Sequence, residues 1–378
     1  MKSWLILSTR VTLVSLLLVL FFDWNPPSLS LSPQLPIDVA DAAQNPYDLG
    51  LGYFQNNVGL SDDAAWLQAK DAAHLALIQR NWQEAANPGG ASYYDAVASQ
   101  VSLARSNGLK IYLGLDVLSG DRTTLQLPAA LRGLTGGFSN SQIRSAYVDL
   151  VRKVAADFQP QYFVIAVEVN MYKGSNSTDY NAYKSLYATA YKAIKSVSPQ
   201  TKVAASLLYS DFNGVNCIDS SDKTRFKGHV ADFNNRQNVS DIFAVSTYPF
   251  CYFTPAAIPS TFLSELARFS SRPLFISETG WISDSYQITP TVTFQSDPAT
   301  QAAYVDRLSQ LTDYARGRGY KVSAVTYISL VDPDSAYCAL IQQITPQNGW
   351  YCVLSLLDAQ ADQKPAFGRM KLWKGRLG

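Results

Sequence analysis

Histidine is nearly missing from this 378-residue chain, which has only His74 and His229. That excludes a histidine-rich metal centre, and no metal or other cofactor is expected. Net charge is as scarce. Basic and acidic side chains number 31 and 30, a formal +1, which removes any electrostatic case for nucleic acid or an anionic membrane surface. There is no glycine-rich phosphate loop, no internal repeat and no low-complexity tail. Cysteines number four (Cys217, Cys251, Cys338 and Cys352), and none has the close spacing of a zinc site. What the chain has in quantity is apolar surface, 47% of residues, and aromatics, including 22 Tyr, 17 Phe and 7 Trp. A large core is easily supplied.

The amino terminus reads as a targeting segment. Lys2 and Arg10 precede an apolar run from Val11 to Phe22, the length of a secretory core and short of the ~20 residues that span a bilayer. No small-residue cleavage site follows Phe22 directly; the nearest is Ala40-Asp-Ala42, so an uncleaved anchor is the alternative. No cysteine follows the run, which excludes a lipoprotein anchor. The expected organisation is a signal peptide or membrane anchor over 1–22, a Pro/Ser-rich linker over 23–45, and one folded domain over 46–378. The expected location is secreted or periplasmic, as a monomer, touching membrane only through an anchor that is retained. In that oxidising setting the even number of cysteines implies disulfides.

Beyond residue 45, short apolar runs alternate with longer amphipathic ones. Strands are predicted at Asp48–Tyr53, Leu75–Gln79, Lys110–Leu115, Tyr162–Val167, Lys202–Leu207, Ile242–Ser246, Leu274–Ser277 and Val322–Ile328. Helices are predicted at Ser92–Ser106, Asn140–Phe158, Tyr180–Val197, Thr261–Phe269 and Thr300–Arg316, with stops at Asn107-Gly108 and Arg318-Gly319. Continuous apolar strands separated by helices indicate parallel strands covered on both sides, and eight such units point to a (β/α)8 TIM barrel of the α/β class. In a barrel the loops after strands five and six are neighbours, which pairs Cys217 with Cys251. Cys338 and Cys352 bracket the loop after strand eight.

Active sites of such barrels sit at the carboxyl ends of the strands. Two strands there deliver a glutamate: Tyr162-Phe-Val-Ile-Ala-Val-Glu168-Val-Asn170 and Pro273-Leu-Phe-Ile-Ser-Glu278-Thr-Gly-Trp281. A carboxylate closing an apolar strand needs a partner or a function, and two of them are what glycoside hydrolysis requires. Other polar or aromatic groups at strand ends are Gln55, Arg80, Trp82, Asp116, Tyr209, Asp211, Tyr248, Tyr327 and Asp332. The alternative partner for Arg80 is a helix carboxylate such as Glu84.

With glutamates on strands four and seven, the chain resembles the clan A retaining (β/α)8 glycoside hydrolases. Around Arg80 and Ser277-Glu278-Thr279 it is most similar to the arabinogalactan endo-β-1,4-galactanase family, and Glu278-Thr-Gly-Trp281 also resembles plant-type β-1,3-glucanases. Leu356-Leu-Asp358 and Lys364-Pro-Ala-Phe367 look like the closing strand-turn-helix of many such enzymes. The resemblance implies Glu278 as nucleophile and Glu168 as general acid/base. Arg80 and Tyr248 would hold Glu278 ionised, while apolar neighbours keep Glu168 protonated. It implies a β-linked polysaccharide or oligosaccharide partner, contacted by Asp116, Asn170, Trp281, Tyr327, Gln55 and Trp82. The chain departs from the pattern at Val167, where the clan has Asn, at Asp116 for a frequent His, and at Tyr327 for a Trp. Asn170 is expected to project to the same side as Glu168 and to take over part of the missing asparagine's role. Val167 also sustains a second reading, a catalytically impaired carbohydrate-binding pseudoenzyme.

Overall fold

The computed structural model describes residues 46–378 apart from Val58, 210–222, 236–238, 290–291, Thr345 and Gly378. The expected targeting segment and linker, Asp211, and the expected Cys217–Cys251 bridge lie outside the described residues. All eight expected strands are present. They are β1 (Asp48–Gly52), β2 (Leu75–Asn81), β3 (Lys110–Asp116), β4 (Tyr162–Val164), the pair β5 (Lys202–Ala204) and β6 (Ser206–Leu208), β7 (Phe243–Ser246), β8 (Leu274–Thr279) and, after a small antiparallel hairpin of β9 (Tyr286–Thr289) and β10 (Val292–Phe294), β11 (Val322–Tyr327).

The parallel order is β5-β4-β3-β2-β1-β11-β8-β7-β6. Its two ends, β5 and β6, are successive pieces of the one predicted fifth strand, divided at Ala205. β5 bonds to β4 and β6 to β7, so the sheet closes through this strand into a (β/α)8 barrel. The fourth strand ends three residues earlier than expected. Past Val164 its backbone still bonds across, Ile165 N–H to Ala204 O and Ser206 N–H to Ala166 O, but the ladder is irregular. That irregularity sets up the site.

The barrel interior is a packed core with no pore. Phe275 stacks on Tyr162 at 4.8 Å and meets Tyr112 edge-on at 4.9 Å. Leu75, Leu77, Val164, Val167, Ala204, Ala244 and Ala324 complete the same buried cluster, the small alanines leaving room for the rings. All five expected helices form, with boundaries within three residues of those expected. Their starts are chemically marked. The side chains of Ser61, Ser92, Asn140, Asn176 and Asp297 each accept a hydrogen bond from a first-turn N–H, worth about 1 kcal/mol apiece. At the stops, Gly108 and Gly319 take φ of 78° and 85°, where a side chain would be strained. The expected closing segment is also present, with Leu357 bridging Val331 and Gln363 before a helix over Pro365–Gly375. Among the described residues no helix is long and apolar enough to cross a membrane.

Cys338 and Cys352 form the expected disulfide across 14 residues of the loop that follows β11. Replacing both by Ser is expected to cost about 3 kcal/mol, the chain-entropy value for a loop of this length, read as a lowered Tm.

Candidate active site

Glu278 and Glu168 both lie at the carboxyl ends of the strands, buried to 2% and 7% exposure. Glu278 is the fifth residue of β8, opposite Ser246 of β7, and its carbonyl accepts the Thr247 N–H. Two residues beyond Ser246, the Tyr248 hydroxyl donates to Glu278 Oε2 at 2.9 Å, the expected partnership. Glu278 Oε1 is buried without a hydrogen-bond partner. Burial first, then the charge of Glu168, pushes the Glu278 carboxyl up to about 8, against the opposing pull of Arg122 and the Tyr248 hydrogen bond; Asp116 adds to the rise.

This shift has a consequence for stability. Between about 4.5 and about 8 the folded chain keeps a proton that the unfolded chain has lost, so stability falls as pH rises through that window. Glu278→Gln removes the ionisation while keeping an acceptor for Tyr248. Its Tm advantage over the native chain is expected to grow from pH 5 to pH 8, which thermal unfolding at a series of pH values will read.

Glu168 does not end a regular strand. It stands at φ 49°, left-handed for a non-glycine residue, with its N–H donating to Ser206 Oγ at 2.9 Å. Such a conformation costs of the order of 1–3 kcal/mol and persists only where the surroundings dictate it. Here the chain leaves the barrel wall and turns, Met171 N–H bonding back to Glu168 O and Tyr172 N–H to Val169 O.

The turn overturns one expectation. Asn170 is not extended beside Glu168. Its amide brackets the Leu208 backbone, donating to the carbonyl at 3.1 Å and accepting the N–H at 2.8 Å, and the residue is 2% exposed. It pins the segment after β4 to β6, with one N–H and one lone pair of the amide spent on backbone. Val167 is fully buried in the barrel interior.

The arginine of the site is also different. Arg80 donates to Gln55 Oε1 at 2.6 Å and to the carbonyls of Gln79 and Tyr53, while its Nε is buried without a partner. Among the described residues no carboxylate lies within ion-pair distance of it, neither Glu278 nor Glu84; the latter sits with Arg132 and the Ala129 N–H. Arg122 takes the central place. Its guanidinium bridges Asp116 Oδ2 at 2.6 Å and Glu168 Oε2 at 3.0 Å, in a site where the three side chains are 10–15% exposed. Burial disfavours its charge, but Asp116 and Glu168 outweigh that and hold it protonated. A small hairpin after β3 carries it: Leu118 bridges Leu125, Asp121 accepts from Ser119 and Thr123, and Arg122 itself takes φ 61° at the tip. In sequence, Ser119-Gly-Asp-Arg122 reads as an ordinary solvated turn. The available signal is that three clustered carboxyls demand a cation.

Of the remaining expected contacts, Asp116 is in the site through Arg122. Gln55 bonds Arg80 and Asp62 at its margin. Three aromatics are withdrawn from it. Trp82 is 4% exposed and packs on Tyr147 at 5.5 Å. Trp281 is 2% exposed, against Tyr304 at 4.8 Å and Phe250 at 6.0 Å. Tyr327 is 1% exposed, its hydroxyl tying the carbonyls of Trp281 and Leu354 together. Tyr209 packs among Phe226, Phe262 and Phe269, and Asp332 pairs with Lys364. The aromatic beside Tyr248 does not stand at a strand end. Trp350, in the loop stapled by Cys338–Cys352, lies 5.4 Å from the Tyr248 ring and is only partly buried. Next to it Tyr351 is near enough to Glu278 to feel its charge.

No family model matches the chain, and no curated protein matches it. Solved structures do. A GH5_18 protein from Streptomyces cattleya in complex with GlcNAc superposes with a TM-score of 0.62 at 17% identity, over 88% of this chain and 80% of the other. A GH5_18 protein from Bifidobacterium longum subsp. longum in complex with Manb1-4GlcNAc gives 0.61 at 14%, over 87% and 78%. Xylanase 10B from Thermotoga maritima gives 0.58 at 11%, over 90% and 98%. The fold is thus the (β/α)8 barrel that these structures share.

Proposed function

We propose that this protein is an exported glycoside hydrolase that cleaves a β-linked polysaccharide or oligosaccharide by double displacement. The observation that carries the reading is the pair of buried glutamates at the carboxyl ends of two barrel strands, one following β4 and one on β8, the first held by Arg122 and the second by Tyr248. Glu278 attacks the anomeric carbon through its unpartnered Oε1 while Glu168 gives a proton to the departing glycosidic oxygen. Glu168 then takes a proton from water, the water oxygen bonds to the anomeric carbon, and Glu278 leaves. At rest the proton belongs to Glu278 and Arg122 occupies Glu168. Substrate entry must therefore move Arg122 aside and release the proton held by Glu278. Trp350 offers a ring face to the sugar, and the likeness around Arg80 and Glu278 puts β-1,4-galactan first among substrates.

The same ion pair favours the second reading, a carbohydrate-binding protein with impaired turnover, because Arg122 occupies the Glu168 oxygen that would have to meet the glycosidic oxygen. Product release from galactan, mannan, xylan and β-1,3- and β-1,4-glucan, compared with Glu278→Ala, separates the two. Release by the native chain alone supports hydrolysis. Binding without release supports the second.

A further inference from the structure

Opposite the candidate site, at the amino ends of the strands, lies a cavity of about 820 Å³. Its walls carry Lys70, Lys110, Lys202, Lys321, Lys374 and Arg316 against two carboxylates, Asp48 and Asp71. In a chain of formal charge +1 this is a strong local excess. Part of it has a structural reason: Lys70, Arg316 and Lys374 end helices, where a cation offsets the helix dipole. Helix ends do not account for Lys110 and Lys202, which open β3 and β5, or for Lys321, just ahead of β11. The two carboxylates are already engaged, Asp48 by Lys110 at 2.7 Å and Asp71 by Lys371 at 3.6 Å.

His74 supplies an independent observation. Its Nδ1 accepts the Leu49 N–H at 3.2 Å, so the neutral ring carries its proton on Nε2. That Nε2 is buried and has no hydrogen-bond partner, on a residue that lines the cavity. Burial, followed by the charge of Lys374, holds the His74 pKa below its ordinary value. Lys374 is likewise held low, by burial and by neighbouring Lys70. Lys374 donates to the Lys70 carbonyl and Lys202 lies over the Tyr162 ring, but neither contact supplies an anion.

We propose that this cavity is a binding site for a phosphate-bearing anion, contacted by Lys202, Lys321 and Lys374 and lying beside His74. The site is separate from the glutamates, and the proposal does not depend on the glycosidase reading. A soluble phosphate compound and a phospholipid headgroup share this chemistry, and the test distinguishes them. The full chain is titrated with inorganic pyrophosphate at low ionic strength, against sodium chloride of equal ionic strength, while the ring proton signals of His74 and His229 are followed by NMR across pH. The same chain is sedimented with phosphatidylglycerol–phosphatidylcholine vesicles and with phosphatidylcholine alone. The expected result is an upward shift of the His74 midpoint with His229 unchanged, and binding weakened about tenfold or more by Lys202→Gln with Lys321→Gln. A pyrophosphate response identifies a soluble ligand. A response only to phosphatidylglycerol, lost in the double variant, identifies a headgroup. The proposal is overturned if neither probe moves His74, or if the double variant binds as the native chain does. A variant with lowered Tm and no anion response would leave the lysines a purely structural role, which also overturns it.

Discussion

Glu278→Ala should reduce release of product from the best substrate by about 10⁴-fold or more, because no other group can form the glycosyl ester. The loss comes from chemistry, since among the described residues Glu278 has no ion pair and its only side-chain hydrogen bond is from Tyr248. Removing a carboxyl pushed up to about 8 relieves a buried, unfavourable ionisation, so the variant should fold at least as well as the native chain above neutral pH. Stereochemistry then separates the two glutamates. With Glu278 gone, azide occupies the space it leaves and displaces the aglycone of an aryl β-glycoside once, giving an α-glycosyl azide. With Glu168→Ala the glycosyl ester still forms, and azide attacks it from the other face to give the β-glycosyl azide. Reversed products would exchange the two roles.

Arg122→Gln is expected to be the most damaging change to the fold within the site. It strands Asp116 and Glu168, both largely withdrawn from water, beside Glu278, and breaking a buried pair of this kind costs about 3–5 kcal/mol. Adding Asp116→Asn removes one of the stranded charges and should recover part of the loss, which denaturant titration of the single and double variants will measure. Arg122 also pulls the Glu278 carboxyl down, so its removal moves Glu278 up. Any limb of the pH–activity profile that needs Glu278 ionised should then shift towards alkaline pH.

The architecture was legible because strand and helix periods are local properties. The run Leu274–Ser277 can hardly be anything but a buried strand, and it is one, extended to Thr279. Tyr248 and Glu278 were legible as strand-end residues, and their partnership was implied by the resemblance; register brings them together, as Ser246 opposite Glu278 shows. Asn170 was misplaced because the alternation of strand side chains was carried past Val164, where the chain turns through the left-handed Glu168. Trp82, Trp281 and Tyr327 sit at the barrel end as expected, but whether a ring there meets solvent depends on covering loops that no local pattern specifies. Arg122 was out of reach for the same reason. Its hairpin folds back onto β3, and only the assembled structure brings it to Glu168. Arg80 was assigned by likeness to other barrels; here Gln55, itself at a positive φ of 57°, takes up its guanidinium.

The central claim is that Glu278 bonds covalently to sugar. Its most direct test is to incubate the full chain with 2-deoxy-2-fluoro-β-glycosyl fluorides of galactose, mannose, glucose and xylose, which slow breakdown of a glycosyl ester more than its formation, and to sequence the labelled peptide by mass spectrometry. The account predicts one fluoroglycosyl adduct, on Glu278 within Pro273–Trp281, absent from Glu278→Ala. An adduct on Glu168, or hydrolysis of a β-glycoside that yields the α-anomer with no adduct at all, would contradict it.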